Sequence, residues 1–240
     1  MKRFLIFILS FNLSLMVFLL PWGLSFYKEE EVKEAESPLI IPPKKEALLL
    51  IEDKGEALIF LHLKLSLNKC EIKALSPDFK AQDTDGFLPL YKIEENGGLK
   101  YAVRALNKDE AFKIDFYSCF DIKSLEEALK NLGSCDFFLP SAIKGQNEET
   151  FFQKGRTLLN IEDAALILRK AESPSGEKRR KIFTDIVSQL FEQRGDIGKK
   201  DQESIFLCLA NGRESNLSIK NFLNFKKYGI FSKDFRFMQK

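Results

Sequence analysis

The stretch KIDFYSCFDIKSLEEALKNLGSCDFFLP, residues 113–140, decides the fold class. Phe112, Ile114 and Phe116 alternate with Lys113, Asp115 and Tyr117, the period of a half-buried strand. Asp121 stands where an N-cap belongs, and Ile122, Leu125, Leu129 and Leu132 mark one face of a helix. Gly133 stops that helix as a C′ residue, and Phe137-Phe138-Leu139 returns as a strand before Pro140. Strand, helix and strand in that order predict a crossover unit. The expected class is α/β, a three-layer α/β/α arrangement around a mixed, largely parallel central sheet.

Upstream, residues 47–51 (ALLLI) and 57–63 (ALIFLHL) are continuous apolar runs of strand length, suited to central strands buried on two faces. Glu52, Asp53, Lys54, Gly55 and Glu56 form a tight acidic turn between them. Two readings stand: a hairpin turn in water, or carboxylates at a strand end that hold a divalent cation through oxygen. His62 reads as a core histidine with a hydrogen-bond partner. Residues 71–75 form a strand running into Ser76-Pro77-Asp78. Residues 82–98 read as a loop with two turns, and 99–106 as a short helix.

Downstream, residues 155–193 read as a helix, a basic hinge and a second helix. Asn160 and Asp163 make a capping box, and Ala164, Ala165, Leu166 and Leu168 build a short apolar helix that delivers Arg169 at its end. After the breaker at 173–176, Ile182, Phe183, Ile186, Val187, Leu190 and Phe191 fall on one helical face. One turn back, that face lands on Arg179 and Arg180. Two cations then oppose the dipole at a helix N-terminus, which a bound phosphate would explain and snorkelling to solvent would also allow. Residues 202–211 and 217–228 read as two further helices, and Phe235-Arg236-Phe237 as a last strand.

The whole chain, 240 residues with 45% hydrophobic content, 23 phenylalanines and a net charge of +2, suits one ordinary domain with extras. No long basic stripe exists outside the hinge, which argues against a nucleic-acid partner. Residues 4–20 carry three polar interruptions, and counted to Tyr27 the stretch is long enough to cross a bilayer. Basic residues before it and acidic ones after it place the N-terminus in the cytoplasm and the remainder outside. A cleaved signal peptide is the competing reading. The expected division is a transmembrane signal-anchor over 1–27, an acidic, proline-punctuated linker over 28–46, and an extracytoplasmic domain over 47–240. Cys70, Cys119, Cys135 and Cys208 show no metal-ligand spacing; a disulfide or four buried thiols both fit.

The order of elements and three strings resemble the LytR–CpsA–Psr family, membrane-anchored enzymes of bacterial envelopes. Residues 113–140 follow the family's "v-d-f-…-l-v-d-a-l-G-G-v-…-v-P". KGRTLLNIEDAALILR (154–169) is similar to "k-G-x-x-x-L-n-G-e-q-A-L-x-y-v-R", and NLSIKNFLNFKKYGIFSKDFRF (216–237) to the family's closing helix and strand. The resemblance implies phosphotransfer of a glycopolymer from a polyprenyl-diphosphate carrier to peptidoglycan. The lipid would lie in an apolar tunnel, with arginines and Mg2+ or Mn2+ on the diphosphate.

Carried over residue by residue, the resemblance makes Arg169, Arg180 and Glu177 the catalytic candidates. Arg169, Arg180 and Lys92 would hold phosphate, joined by Arg179 from the helix-start reading above, and Asp53 and Glu56 the metal. The pattern also departs from the family. The second arginine of "R-x-R" falls on Ala171. The later positions of "D-x-x-R-x-x-R-Q-Q" read Phe183, Thr184 and Asp185. The loop "S-I-P-R-D" is Ser76-Pro77-Asp78 without its arginine. An enzyme with a thinned catalytic shell and a binding module that turns nothing over both remain open.

Overall fold

The structure is a computed structural model, and it describes residues 43–84, 86–172, 174–194, 197–218, 221, 228 and 235–239. The expected anchor at 1–27, nearly all of the expected linker, and most of the helix expected over 217–228 lie outside the described residues.

In chain order the elements are β1 (Lys45–Asp53), β2 (Glu56–Ser66), β3 (Lys69–Leu75), β4 (Lys80–Gln82), β5 (Phe87–Pro89), α1 (Leu90–Gly97), α2 (Leu99–Leu106) and β6 (Ile114–Asp121). There follow α3 (Ile122–Leu129), β7 (Ser134–Leu139), β8 (Ile143–Lys144), β9 (Thr150–Phe152), β10 (Gly155–Asn160), α4 (Ile161–Lys170), α5 (Gly176–Arg194), α6 (Lys199–Ala210), β11 (Glu214–Ser215) and β12 (Arg236–Gln239). Six strands form the main sheet in the order β11-β6-β1-β2-β3-β12.

The two apolar runs are central strands, as their composition predicts. Leu48, Leu50 and Phe60 face a core built with α1 and α2, while Ile51, Ile59 and Leu61 face a second core built with α3, α4 and α5. A residue-by-residue alternation between two apolar clusters is what a strand buried on both faces requires. Helices therefore cover both sides of the sheet.

The sheet is mixed but not largely parallel. β2 runs antiparallel to both β1 and β3, and β11 antiparallel to β6; the parallel pairs are β1 with β6 and β3 with β12. The cause is local. Lys54 and Gly55 adopt φ of 53° and 85°, the left-handed pair of a two-residue hairpin turn, and Asn68 has φ of 55° in the next turn. Loops that short cannot support a parallel crossover.

The stretch 113–140 does fold as strand, helix and strand, and the Asp121 side chain accepts from the Lys123 N–H as the predicted N-cap. It is not a crossover within one sheet, however. β7 pairs antiparallel with β10 in a separate two-stranded ribbon. Residues 82–98 also hold more structure than the expected loop. Leu90 and Ile93, one turn apart, bury α1 against β1 and β2. All four cysteines are free thiols, with Cys208 partly buried and the others buried.

Candidate functional site

The capping box that opens α4 is present in full. Asn160 Oδ1 accepts from the Asp163 N–H at 2.9 Å, and Asp163 Oδ2 accepts from the Asn160 N–H at 3.0 Å. Ala164, Ala165, Ile167 and Leu168 are buried beneath the helix, so Arg169 emerges on its last turn. After a short hinge α5 begins at Gly176. Arg180 Nη1 and Arg179 Nη2 lie 3.3 and 3.6 Å from the point a Cβ on Gly176 would occupy. Both guanidinium groups thus fold back over the helix start.

Those two cations are poorly neutralised. Burial lowers the pKa of Arg180 from its ordinary value and the neighbouring Arg179 lowers it further; Asp78 and Glu177 act the other way. Among the described residues neither arginine makes an ion pair within 4 Å. A helix N-terminus with two unpaired guanidinium groups attracts an anion.

The other predicted site residues are distributed differently. Arg169 Nη2 donates to Glu126 Oε1 on α3 at 2.6 Å, and Arg169 is not among the groups that act on Arg180. Glu177 is exposed on the first turn of α5. Lys92 is exposed on α1, and among the described residues no ion pair or hydrogen bond joins it to the arginines. Ala171 and Phe183, at the positions where the family pattern has arginines, are both fully buried. Both sit in the apolar cluster beneath α4 and α5, where neither contributes a charge.

Asp53 and Glu56 are directly paired across the β1–β2 turn. Opposed residues of an antiparallel pair project to the same side, so the two carboxylates can share a cation. Among the described residues no group of three or more His, Cys, Asp or Glu side chains is arranged to hold a metal. Two oxygen donors fit Mg2+ or Mn2+ in the manner of ions that keep several waters and take substrate phosphates as remaining ligands. Bound there, such an ion would supply Lewis-acid neutralisation of phosphate charge.

Below the arginines lies an apolar cavity of about 150 Å³. Its wall includes Phe183, Val187 and Phe191 of α5, Leu125 and Leu129 of α3, and Ile51 of β1. Phe183 sits one turn after Arg179 and Arg180, so the same helix carries the cations at its start and the cavity wall beneath them. Beside the β1–β2 turn, Glu56, Pro77, Tyr91, Glu94 and Glu95 line a second, polar cleft.

A cluster of two buried carboxylates and a thiol around a half-exposed arginine was not foreseen. Arg213, between α6 and β11, donates through Nη2 to Glu94 Oε1 at 2.6 Å and to Glu52 Oε2 at 3.0 Å. Burial pushes the Cys119 thiol up to about 12, so it stays protonated and donates to Glu52 Oε2 at 3.3 Å. Glu52 at the end of an apolar run signals a buried carboxylate in need of a cation. Nothing in the sequence spacing assigns Arg213 to that task.

A mixed sheet covered by helices on both faces is a fold shared with solved bacterial proteins. B. subtilis TagV superposes with a TM-score of 0.60 at 17% identity, covering 82% of this chain and 84% of that one. TagT bound to LIIa-WTA gives 0.62 at 13% identity, with 82% and 77% covered. A protein from Eubacterium siraeum, described as a candidate transcription regulator, gives 0.69 at 15% identity, with 87% of both chains covered. No family model matches the sequence, and no curated protein matches it at significance. The likeness is therefore one of fold.

Proposed function

We propose that this is a membrane-anchored, extracytoplasmic protein of the bacterial cell envelope that binds a glycopolymer linked to a polyprenyl phosphate or diphosphate. The prenyl chain enters the apolar cavity, and the phosphate sits on Arg179 and Arg180 at the start of α5. The observation that carries this reading is the continuity of α5: two cations without an ion pair among the described residues stand one turn above an apolar wall. A molecule with a long hydrocarbon tail and an anionic head matches both halves.

The activity that follows is phosphotransfer of the glycopolymer to peptidoglycan, in keeping with the sequence resemblance to the LytR–CpsA–Psr family and with the fold shared with TagT and TagV. In that reaction Arg180 and Arg169 neutralise charge on the transferred phosphoryl group. Glu177 orients Arg180, and Asp53 and Glu56 hold the divalent ion. A second reading, binding without transfer, is favoured by the burial of Ala171 and Phe183, which removes two cations from the phosphate shell. Loss of one transition-state donor costs about 3 kcal/mol.

Lipid extraction and mass spectrometry of the detergent-purified full chain test the binding step. A co-purifying prenyl phosphate that disappears in an Arg179→Ala/Arg180→Ala variant is the expected result. A preparation that neither carries nor takes up such a lipid overturns the proposal. Mg2+-dependent cleavage of the prenyl diphosphate bond, with the glycan and one phosphate passing to an acceptor hydroxyl and prenyl monophosphate left behind, then separates transfer from binding alone.

A further inference from the structure

The Glu126–Arg169 pair uses half of a fork. An arginine offers parallel N–H donors along its Nε/Nη2 edge, and an oxyanion with two oxygens takes both. Here Glu126 Oε1 accepts from Nη2 at 2.6 Å, while Nε is buried and has no acceptor among the described residues. The side chains are only 17% and 16% exposed, so solvent gives little relief. A buried donor left without an acceptor costs about 1–3 kcal/mol.

The carboxylate that makes this contact is itself poorly placed. Burial raises the pKa of Glu126 above the ordinary carboxylate range; Glu162 on α4 and Asp121 at the end of β6 raise it further, against the pull of Arg169. Lys123 and Lys170 lie close to the pair in the chain, and neither side chain is hydrogen-bonded or ion-paired to Glu126 among the described residues. Glu127 pairs with Lys130, and Asp201 of α6 accepts from Asn131. Leu125, the residue before Glu126, lines the apolar cavity. The strained pair therefore rides on a wall helix of the proposed lipid site.

We propose that Glu126 is a displaceable stand-in for a lipid phosphate: a headgroup whose oxygens take both Nε and Nη2 of Arg169 releases Glu126, which takes a proton from solvent. This rests on the lipid-phosphate reading above. It adds a rule for that site. Ligand entry is coupled to breaking an internal ion pair and to protonation of one carboxyl group, and Glu126 sets the affinity for the headgroup. In the ligand-free protein Arg169 belongs to Glu126; in the complex it joins the phosphate.

The test titrates the full chain in detergent with farnesyl phosphate, using farnesol as the headless control, by calorimetry in two buffers of different ionisation enthalpy. Wild type is expected to take up more protons than Glu126→Gln on binding farnesyl phosphate. The variant should bind about tenfold tighter, because the ligand no longer competes with a charged carboxylate. Arg169→Lys, which keeps the charge but not the fork, should lose affinity while unfolding at an unchanged urea concentration. Equal affinity and equal proton uptake in wild type and Glu126→Gln overturn the stand-in role but leave the lipid reading intact. Equal binding of farnesol and farnesyl phosphate overturns it too, since the headgroup is then not read. No binding of either compound by any of the three proteins overturns both readings.

Discussion

Arg213 Nη2 lies 2.6 Å from Glu94 Oε1, and this contact ties the segment after α6 to α1 on the far side of β1. The same nitrogen reaches Glu52 Oε2 at 3.0 Å, so one cation serves two carboxylates that are 7% and 9% exposed at their side chains. Removing the cation leaves two buried negative charges adjacent, and removal of one partner from a buried pair is far costlier than removal of both. Arg213→Ala should destabilise the protein by about 2 kcal/mol, less than a fully buried pair because the guanidinium is half exposed. Urea unfolding checks it. In Glu94→Gln the effect of Arg213→Ala should shrink by more than about 1 kcal/mol, the coupling expected of groups in contact.

The next residue, Glu214, caps a different helix. Its Oε2 accepts from the Leu99 N–H at 2.6 Å and its Oε1 from the Lys100 N–H at 2.9 Å, at the start of α2. Gly98 makes room for this with φ of 76°, and a Cβ there would abut Glu214 Oε2. Gly98→Ala should therefore cost about 1–3 kcal/mol through left-handed strain and the displaced cap. Glu214→Ala, which loses the cap alone, should cost about 1 kcal/mol. Thermal unfolding of the two variants ranks them.

His62 makes stability depend on pH. Burial lowers its pKa below the ordinary 6.5; Glu46, which it meets at 2.7 Å, opposes this, and Lys64 and Lys73 reinforce it. The unfolded chain then binds a proton at a pH where the folded chain still does not. The stability gained by keeping His62 neutral is complete above 6.5 and is lost as pH falls through the folded value. Glu46 contributes in a lower window. Burial works against its ionisation, but hydrogen bonds from the Lys113 N–H, His62 and Lys64 outweigh it, so its share is lost only below 4.5. The urea midpoint should fall between about pH 7.5 and about pH 5.5. His62→Gln should flatten that fall, and an equal slope in the variant would assign it to other groups.

The parts of the fold legible in the sequence are those set by neighbours in the chain. Asn160 and Asp163 sit three residues apart, and their capping box is local, so α4 begins where the sequence places it. The apolar runs around Leu48 and Phe60 demand burial on two faces whatever their partners are. Strand direction is less accessible: the turn between β1 and β2 is legible as a tight one, and positive φ at Lys54 and Gly55 makes it a hairpin, but the parallel partners β6 and β12 join β1 and β3 from far along the chain. β7 alternates correctly as a strand, yet its partner is β10 rather than the main sheet, and alternation carries no information about partners. The candidate site divides in the same way. Arg179 and Arg180 are adjacent in sequence and remain together. Arg169 is captured by Glu126, 43 residues upstream, and Glu52 by Arg213, 161 residues downstream. Long-range ion pairs of this kind are chosen by the fold and leave no periodic trace.

Arg180 is the residue at which stability and binding should part. In the ligand-free protein its charge is disfavoured, first by burial and then by Arg179, with Asp78 and Glu177 giving only partial relief. A group held in an unfavourable charged state does not stabilise the fold that holds it. Arg180→Gln keeps much of the packing and removes the charge, so its urea midpoint should equal or exceed that of wild type. The same substitution removes a charge-assisted donor to the phosphate, and such a bond is worth about 1.5–3 kcal/mol. Farnesyl phosphate affinity should drop about tenfold or more, with farnesol affinity unchanged because Phe183 and Val187 still line the cavity. A variant that is both less stable and equally able to bind would assign Arg180 to the scaffold and remove the anion site from the start of α5.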